Sequence, residues 1–386
     1  MSAPGPTAAL PGGLFAALRP LDPGSAPVAA WRALGAAALV PNPFYEADYA
    51  LPAAGAFGDG VRLMVVADRP PDEAGARLLA LWPFRASRTR WGVPLAVLVG
   101  WTHGFCPLGV PLLAAAEPER ALDGLLAAPR ALGLPQRLLL MNAPADGPFA
   151  SLLASRRRRA AYWPHARGLL DLDGLTPEAR ARYLAHMGAK RRRKVRLGRE
   201  RLEAGGAVVV ESVTESEALM AALDDYVALE TAGWKGRAGT ALGQRPAEAA
   251  FLRGMVAAFG ARGRLRIVRL RRDGRTLAAA ILPRVGDTAF VLKISYDEAE
   301  AAGAPGVQLV HRLTESVLGA DDLQKIDSCA GPDYRLAEMF WTGRRAIAHL
   351  LIEAGPDPLF PVACALERAR EGYAGWRAGR RRTRMI

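Results

Sequence analysis

The feature that most restricts the fold of this chain is that one order of elements occurs twice. Residues 14–21 read as a strand and 26–39 as a helix with Ser25 as its N-cap. VRLMVVADR (61–69), ARLLALWPFR (76–85) and VPLAVLVGW (93–101) then form a meander, 117–132 a helix, and RLLLMNAP (137–144) a strand stopped by Pro144. The second half runs GGAVVVESV (205–213), helices over 214–231 and 247–259, and a meander of RLRIVRL (264–270), RTLAAAILPR (275–284) and DTAFVLKIS (287–295). A helix over 307–318 and the strand QKIDSCAGP (324–332) complete it. TESE at 214–217 is a capping-box pattern, Asp273-Gly274 a two-residue hairpin turn and Gly319 a helix end. Both halves close with Leu-Gly, an apolar strand and a proline, at Leu132-Gly133 to Pro144 and at Leu318-Gly319 to Pro332. We therefore expect a duplicated mixed α/β (α+β) fold, each copy a mixed central sheet flanked by helices. The expected divisions are a flexible start (1–13), a first domain (14–165), a second domain (166–376) and a basic tail (377–386), with the boundary somewhere in 156–204.

Of 386 residues, 51% are hydrophobic and 23% charged, which suits two packed cores and excludes wholesale disorder. The formal net charge is +13, yet only five of the 51 basic residues are lysines: Lys190, Lys194, Lys235, Lys293 and Lys325. So arginine-rich a composition reflects GC-rich coding as much as a polyanionic partner, and a retained lysine marks a site where a compact ammonium can serve better than a planar fork. RRRR (156–159) and AKRRRKVRLGRERLEAGG (189–206) read either as solvated surface or as contacts to phosphate or an anionic membrane surface. No aromatic residue interrupts 189–201, so base stacking has no platform there and nucleic acid is not an expected partner. RAGRRRTRM (377–385) reads as a disordered tail. The uncharged stretch 91–116 imitates a membrane span, but Pro94, Pro107 and Pro111 with Gly100, Gly104 and Gly109 divide it into strand, loop and apolar segment. Cys106, Cys329 and Cys364 form neither a disulfide framework nor a CxxC pair, and the proline-rich start lacks the charge pattern of a signal peptide, so a cytoplasmic location is expected.

Common hydrolase, zinc-protease, P-loop and dinucleotide motifs are absent, and the five histidines are too scattered for a metal site. Two clusters stand out. In ALETAGWKGRAGTAL (228–242) a helix ends at Gly233 and a glycine-punctuated loop presents Trp234, Lys235 and Arg237, residues suited to binding. In LKISYDEAEAAGAPGVQLVHRLTE (292–315) a strand ends in Lys293, Tyr296, Asp297 and Glu298, and a Gly303/Pro305/Gly306 turn opens a helix whose N-terminal amides could hold an anion. Asp327, inside KIDSC, reads either as a partly buried base or as the ion-pair partner of Lys293 or Lys325.

Together with NPFYEADY (42–49), WTHGFCPLGVPLL (101–113), KRRRKVRLGRERLEAGG (190–206), the DGR turn (273–275) and KIDSCAGPDYRLAEMFW (325–341), these clusters resemble the CelD-like acyltransferases associated with bacterial cellulose biosynthesis. These belong to the GNAT N-acetyltransferase superfamily, in the branch related to Fem-type peptidoglycan aminoacyltransferases. The resemblance covers roughly residues 30–350. It implies tandem GNAT domains and transfer of an acyl group from acetyl-CoA or another acyl-CoA, without a metal, to a small-molecule or saccharide amine or hydroxyl in envelope or exopolysaccharide synthesis. It places Ser295 and Tyr296 along the pantetheine arm, and Gly306, Val307 and Gln308 at the diphosphate. The superfamily loop Q/R-x-x-G-x-G/A is here Gly303-Ala304-Pro305-Gly306. Asp327, Asp297 and Glu230 are the bases such a reaction suggests, and Tyr296 and Tyr334 the acids. Lys293 would serve an oxyanion, with Glu230, Trp234, Lys235 and Arg237 on the acceptor side. The alternatives are a non-catalytic GNAT adaptor for an envelope-assembly complex, and a Fem-like transferase using aminoacyl-tRNA.

Overall fold

A computed structural model describes residues 5–24, 26–156, 158–319 and 322–383, with the side chains of 378–383 excluded. In chain order the strands are β1 (Thr7–Leu10), β2 (Leu14–Pro20), β3 (Arg62–Ala67), β4 (Leu78–Ser87), β5 (Val97–Gly100), β6 (Leu112–Leu113), β7 (Arg137–Pro144) and β8 (Arg159–Asp171). They continue with β9 (Val208–Val213), β10 (Leu265–Arg272), β11 (Arg275–Val285), β12 (Thr288–Phe290), β13 (Lys293–Tyr296), β14 (Lys325–Asp327) and β15 (Gly343–Glu353). The helices are α1 (Val28–Ala36), α2 (Ala47–Phe57), α3 (Pro118–Ala131), α4 (Gly147–Ala154), α5 (Pro177–Ala181) and α6 (Ala189–Glu203). After them come α7 (Ser216–Ala232), α8 (Trp234–Arg237), α9 (Pro246–Gly260), α10 (Pro305–Gly319) and α11 (Phe360–Thr383).

Two compact units result. Unit 1 comprises Met1–Leu51, Gly58–His165 and Ala346–Ile386; unit 2 comprises Pro52–Phe57 and Ala166–Arg345. In unit 1 the strands follow the order β1-β2-β3-β4-β5-β7-β15, antiparallel except where β5 runs parallel to β7. Leu95, Val97, Leu139, Tyr162, Leu351 and Phe360 form one of its cores. In unit 2 the order is β8-β14-β12-β11-β10-β9, with β13 on β11. Leu270, Leu277, Ala280, Leu309, Leu313 and Trp341 meet where α10 packs on β10 and β11. Each fully buried leucine among them contributes about 1.5–3 kcal/mol relative to exposure.

The hairpin turn lies where the Asp-Gly pair put it. Asp273 (φ 48) and Gly274 (φ 84) both take the positive φ that a two-residue turn between twisted strands requires. Several expectations change. Thr7–Leu10, read as flexible, pairs with β2, because Gly12 (φ 73) and Gly13 (φ 69) reverse the chain. α7 starts at Ser216 after Glu215, so the Thr214 capping box does not form. The predicted N-cap Ser25 lies outside the described residues, and α1 begins at Val28 after Pro27. Residues 91–116 contain β5 and β6, and among the described residues no helix is long and apolar enough to cross a membrane. Residues read as a disordered tail continue α11 to Thr383; 384–386 lie outside the description. Nor do 166–376 stay together. From Ala346 the chain rejoins unit 1, because β15 pairs with β7 from Ile347↔Pro144 to Glu353↔Arg137. Two arginines of the RRRR run are anchored inside unit 1: Arg156 meets Glu119 and Asp123, and Arg158 meets Glu353.

Candidate active site

The expected strand 287–295 is two strands, and the break makes the site. β12 runs parallel to β14 through Thr288↔Lys325, Ala289↔Ile326 and Phe290↔Asp327, and the Val291 N–H donates to the Asp327 carbonyl at 2.9 Å. From Lys293 onward the chain pairs with β11, from Ile281↔Lys293 to Ala278↔Tyr296. β14 meanwhile ends at once. The Asp327 carboxylate accepts the Cys329 N–H at 2.8 Å and Cys329 turns at φ 52, which shortens the strand expected over 324–332. Two strands that are neighbours at Phe290 therefore part, and one edge of β13 lies outside the ladder, where backbone donors and acceptors can serve a ligand.

On one side of β13 stand α7 and α8. Glu230, near the end of α7, is buried; its Oε1 accepts from the Tyr226 hydroxyl at 3.3 Å and from the Lys235 ammonium, and its Oε2 from the Leu242 N–H at 2.9 Å. Burial, and then the Glu230 charge, push the Tyr226 hydroxyl well above its ordinary range. The loop expected around Trp234 is the short helix α8. Gly236 leaves no room for a Cβ against the Thr231 carbonyl, and that close approach brings Lys235 back to Glu230. Lys293 lies near the same pair. Burial, and then repulsion from Lys235, lower its pKa against the opposing pull of Glu230 and Glu248. Glu230, Trp234, Lys235, Ser295, Tyr296 and Glu298 line a cavity of about 40 Å³. A larger groove of about 660 Å³ shares Leu229, Gly233 and Glu298 with it and continues past Asp225, Arg275 and Thr276. Tyr334 is close enough to Tyr226 and Tyr296 to interact electrostatically with both.

Three expected roles change. Asp327 is not a free base. It is fully buried, with Oδ1 2.7 Å from Arg167 and Oδ2 accepting from Arg167 at 2.8 Å and Arg345 at 2.7 Å. Burial alone would raise its pKa, but the two arginines outweigh burial and hold it at about 2. Neither Lys293 nor Lys325 pairs with it: Lys325 meets Asp171 and Asp173. Asp297 is engaged as well, one oxygen accepting the Ala299 N–H at 2.9 Å and the other paired with Arg275. Arg237 is exposed and held by Glu298 at 2.6 Å, which also accepts the Trp234 N–H at 2.7 Å.

At the start of α10 the expected diphosphate set divides. Gly303 is a packing glycine: a Cβ there would stand inside the Leu202 side chain of α6, and a Cβ on Gly198 would come 2.9 Å from the Gly303 carbonyl. Gln308 also faces α6, its amide donating to the Val195 carbonyl at 2.8 Å. The Val307 and Gln308 N–H groups donate to the Ala304 carbonyl at 2.9 and 3.1 Å. Gly306 remains beside the Tyr296 ring, 3.4 Å from where a Cβ would sit. Sequence reasoning passed over Tyr226, Arg167 and Arg345. Tyr226 lies one helical turn before Glu230, a spacing that could have revealed it. Among the described residues no group of three or more His, Cys, Asp or Glu side chains is placed to hold a metal ion.

Residues 189–335 match the family described as acetyltransferase (GNAT) domain. No curated protein matches the sequence. Among solved structures the chain is similar to FemX, at TM-score 0.55 and 11% identity over 86% of this chain and 97% of that one. It is also similar to a conserved protein of unknown function from Bacteroides thetaiotaomicron VPI-5482, at TM-score 0.50 and 11% identity over 84% and 97%. At those identities the likeness is one of fold. The matched segment lies wholly within unit 2 of a mixed α/β architecture.

Proposed function

We propose that unit 2 is an acyltransferase site that moves a short acyl group from a thioester, in the first instance acetyl-CoA, to an amine or hydroxyl of a saccharide or other small polar acceptor. The observation that carries this reading is the convergence of Glu230, Lys235, Ser295 and Tyr296 on one small cavity beside the unladdered edge of β13. The donor's pantetheine arm would extend along Ser295 and Tyr296, and its diphosphate would lie beside Gly306 at the start of α10. The acceptor would enter by the larger groove past Asp225 and Thr276. Its nucleophile attacks the thioester carbonyl carbon and gives up its proton to water. The carbonyl electrons move onto oxygen, where the Lys235 and Lys293 side chains stabilise the oxyanion. Collapse of the tetrahedral intermediate re-forms the carbonyl and expels the thiolate, which takes a proton from Tyr296. Glu230 acts by holding Lys235 at the cavity. A cavity of about 40 Å³ suits an acetyl head rather than a fatty chain. The CelD-like resemblance directs the acceptor search to envelope polysaccharides.

A second reading, transfer from an aminoacyl-tRNA, is favoured by one observation: Gly303 packs on α6, and Pro305 has no N–H to offer a diphosphate. Thiol release from acetyl-CoA, longer acyl-CoAs and an aminoacyl-tRNA control, each with a panel of amino and neutral sugars, tests the assignment. Acetyl-CoA turnover lost in Lys293→Met supports it. Turnover confined to aminoacyl-tRNA replaces it with the second reading. No donor binding by any thioester removes it.

A further inference from the structure

We propose that the outer half of α11 docks on an anionic lipid surface. The inner half is built into unit 1. Phe360 and Ala363 belong to its core, the buried Glu367 carboxylate pairs with Arg90 at 2.7 Å and accepts from the Trp91 ring N–H, and Glu371 accepts the Trp163 N–H. Beyond Glu371 this packing stops, and every residue from Gly372 to Arg377 is exposed. A helical stretch that buries no face is marginal in water, so this one gains most from an external surface. Two large aromatic side chains also lie open there. Tyr373 is 58% and Trp376 52% exposed, their rings stacked at 5.8 Å.

Val362, Ala365, Ala369, Tyr373 and Trp376 are exposed at spacings of three or four residues, which places them along one helix face. The charges beside that stripe are of one sign. Arg368, Arg370 and Arg377 are exposed, with the Arg377 guanidinium over the Tyr373 ring at 5.8 Å, and the sequence continues Arg380-Arg381-Arg382. The helix's acidic groups after Glu367, that residue included, are engaged within unit 1. This combination selects the occupant. An apolar protein groove would bury the stripe and offer the arginines, of which Arg370 donates to the Arg90 carbonyl at 3.2 Å, no anionic partner. A nucleic acid would take the arginines and ignore Val362, Ala365 and Ala369. A second copy would bring like charges together. An anionic bilayer surface uses every part, with Trp and Tyr at headgroup level, the small apolar residues against the upper acyl region and arginine on lipid phosphate.

The test is co-sedimentation of the full chain with vesicles of phosphatidylcholine alone and of phosphatidylcholine enriched in phosphatidylglycerol. Binding is expected for the anionic vesicles, to weaken as salt shortens the screening length from about 8 to about 3 Å between physiological and molar ionic strength. Arg377→Gln should lower the partition coefficient about fivefold, the effect of one basic residue near such a surface. Tyr373→Ser with Trp376→Ser should lower it further while leaving the thermal midpoint unchanged, since neither side chain is packed in a core. Equal binding to neutral vesicles, equal binding by the doubly substituted chain, or no binding by the parent overturns the proposal. So does a dimer, seen by light scattering, that dissociates on the same substitutions.

Discussion

Asp327→Asn separates the structural from the catalytic reading of the most buried carboxylate in the candidate site. The substitution removes the negative charge between Arg167, 2% exposed at its side chain, and Arg345, 15% exposed. Two routes give its size. A pKa moved from 3.8 to about 2 is worth roughly 2–3 kcal/mol by linkage, at about 1.4 kcal/mol per unit. That figure understates the loss, because Asn leaves the Arg167 guanidinium buried and uncompensated, and breaking such a pair costs about 3–5 kcal/mol. Arg345 can turn toward solvent and adds little. A loss near 3 kcal/mol lowers the thermal midpoint by about 6–12 °C for a unit of this size. The pH dependence follows from the depressed carboxyl. Its stabilisation is fully present above the unfolded value near 3.8 and is lost as pH falls toward about 2, so the parent should lose this contribution in that window and Asp327→Asn should lack it. Calorimetry of both chains between neutral pH and pH 2, with thiol release measured well below the variant's midpoint, reads both quantities. An unchanged midpoint together with abolished turnover would refute the structural reading and return Asp327 to the chemistry.

Lys293→Met should raise the barrier to acyl transfer by about 2–4 kcal/mol, the scale of one oxyanion donor, as kcat/KM falls with a small change in midpoint; a fall in stability without loss of turnover makes Lys293 structural. Glu230→Gln should lower both stability and turnover, because Lys235 loses its anchor, and Lys235→Met on that background should add little if the two act as a unit; additive losses show separate roles. Gly306→Asp should fold, since its Cβ meets only the Tyr296 ring at ordinary contact, yet abolish acyl-CoA affinity in a thermal-shift titration; unchanged affinity moves the donor elsewhere. Gly303→Ala should destabilise unit 2 by about 1–3 kcal/mol through overpacking against Leu202, whereas a stable variant with weakened donor binding would restore Gly303 to the diphosphate site.

Some of this site could be read along the chain and some could not. The cluster Lys293-Ser295-Tyr296 and the pair Trp234-Lys235 were visible because scarce residue types sit beside glycine and at the end of an alternating strand. Their meeting with Glu230 depends on how Gly236 lets α8 fold against α7. Gly303 and Gln308 showed the opposite case. A glycine before a helix has the same appearance whether it admits a phosphate or a neighbouring helix, and only the position of Leu202 and Gly198 on α6 distinguishes the two.

By itself the sequence determined the strands of both meanders, the helices over 117–132 and 247–259, the Asp273-Gly274 hairpin and the strand stop at Pro144, because periods of two and 3.6 residues, positive φ and the missing proline N–H act within a few residues. Tertiary structure alone decided that the strand over 287–295 divides at Val291, that the last forty or so residues return to unit 1, and that Asp327 is held by Arg167 across 160 residues of sequence. The physical reason is range. Backbone preferences are settled by neighbours in the chain, whereas ladder partners, ion pairs and the closeness of two helices depend on which distant surfaces remain to be buried once those local choices are made.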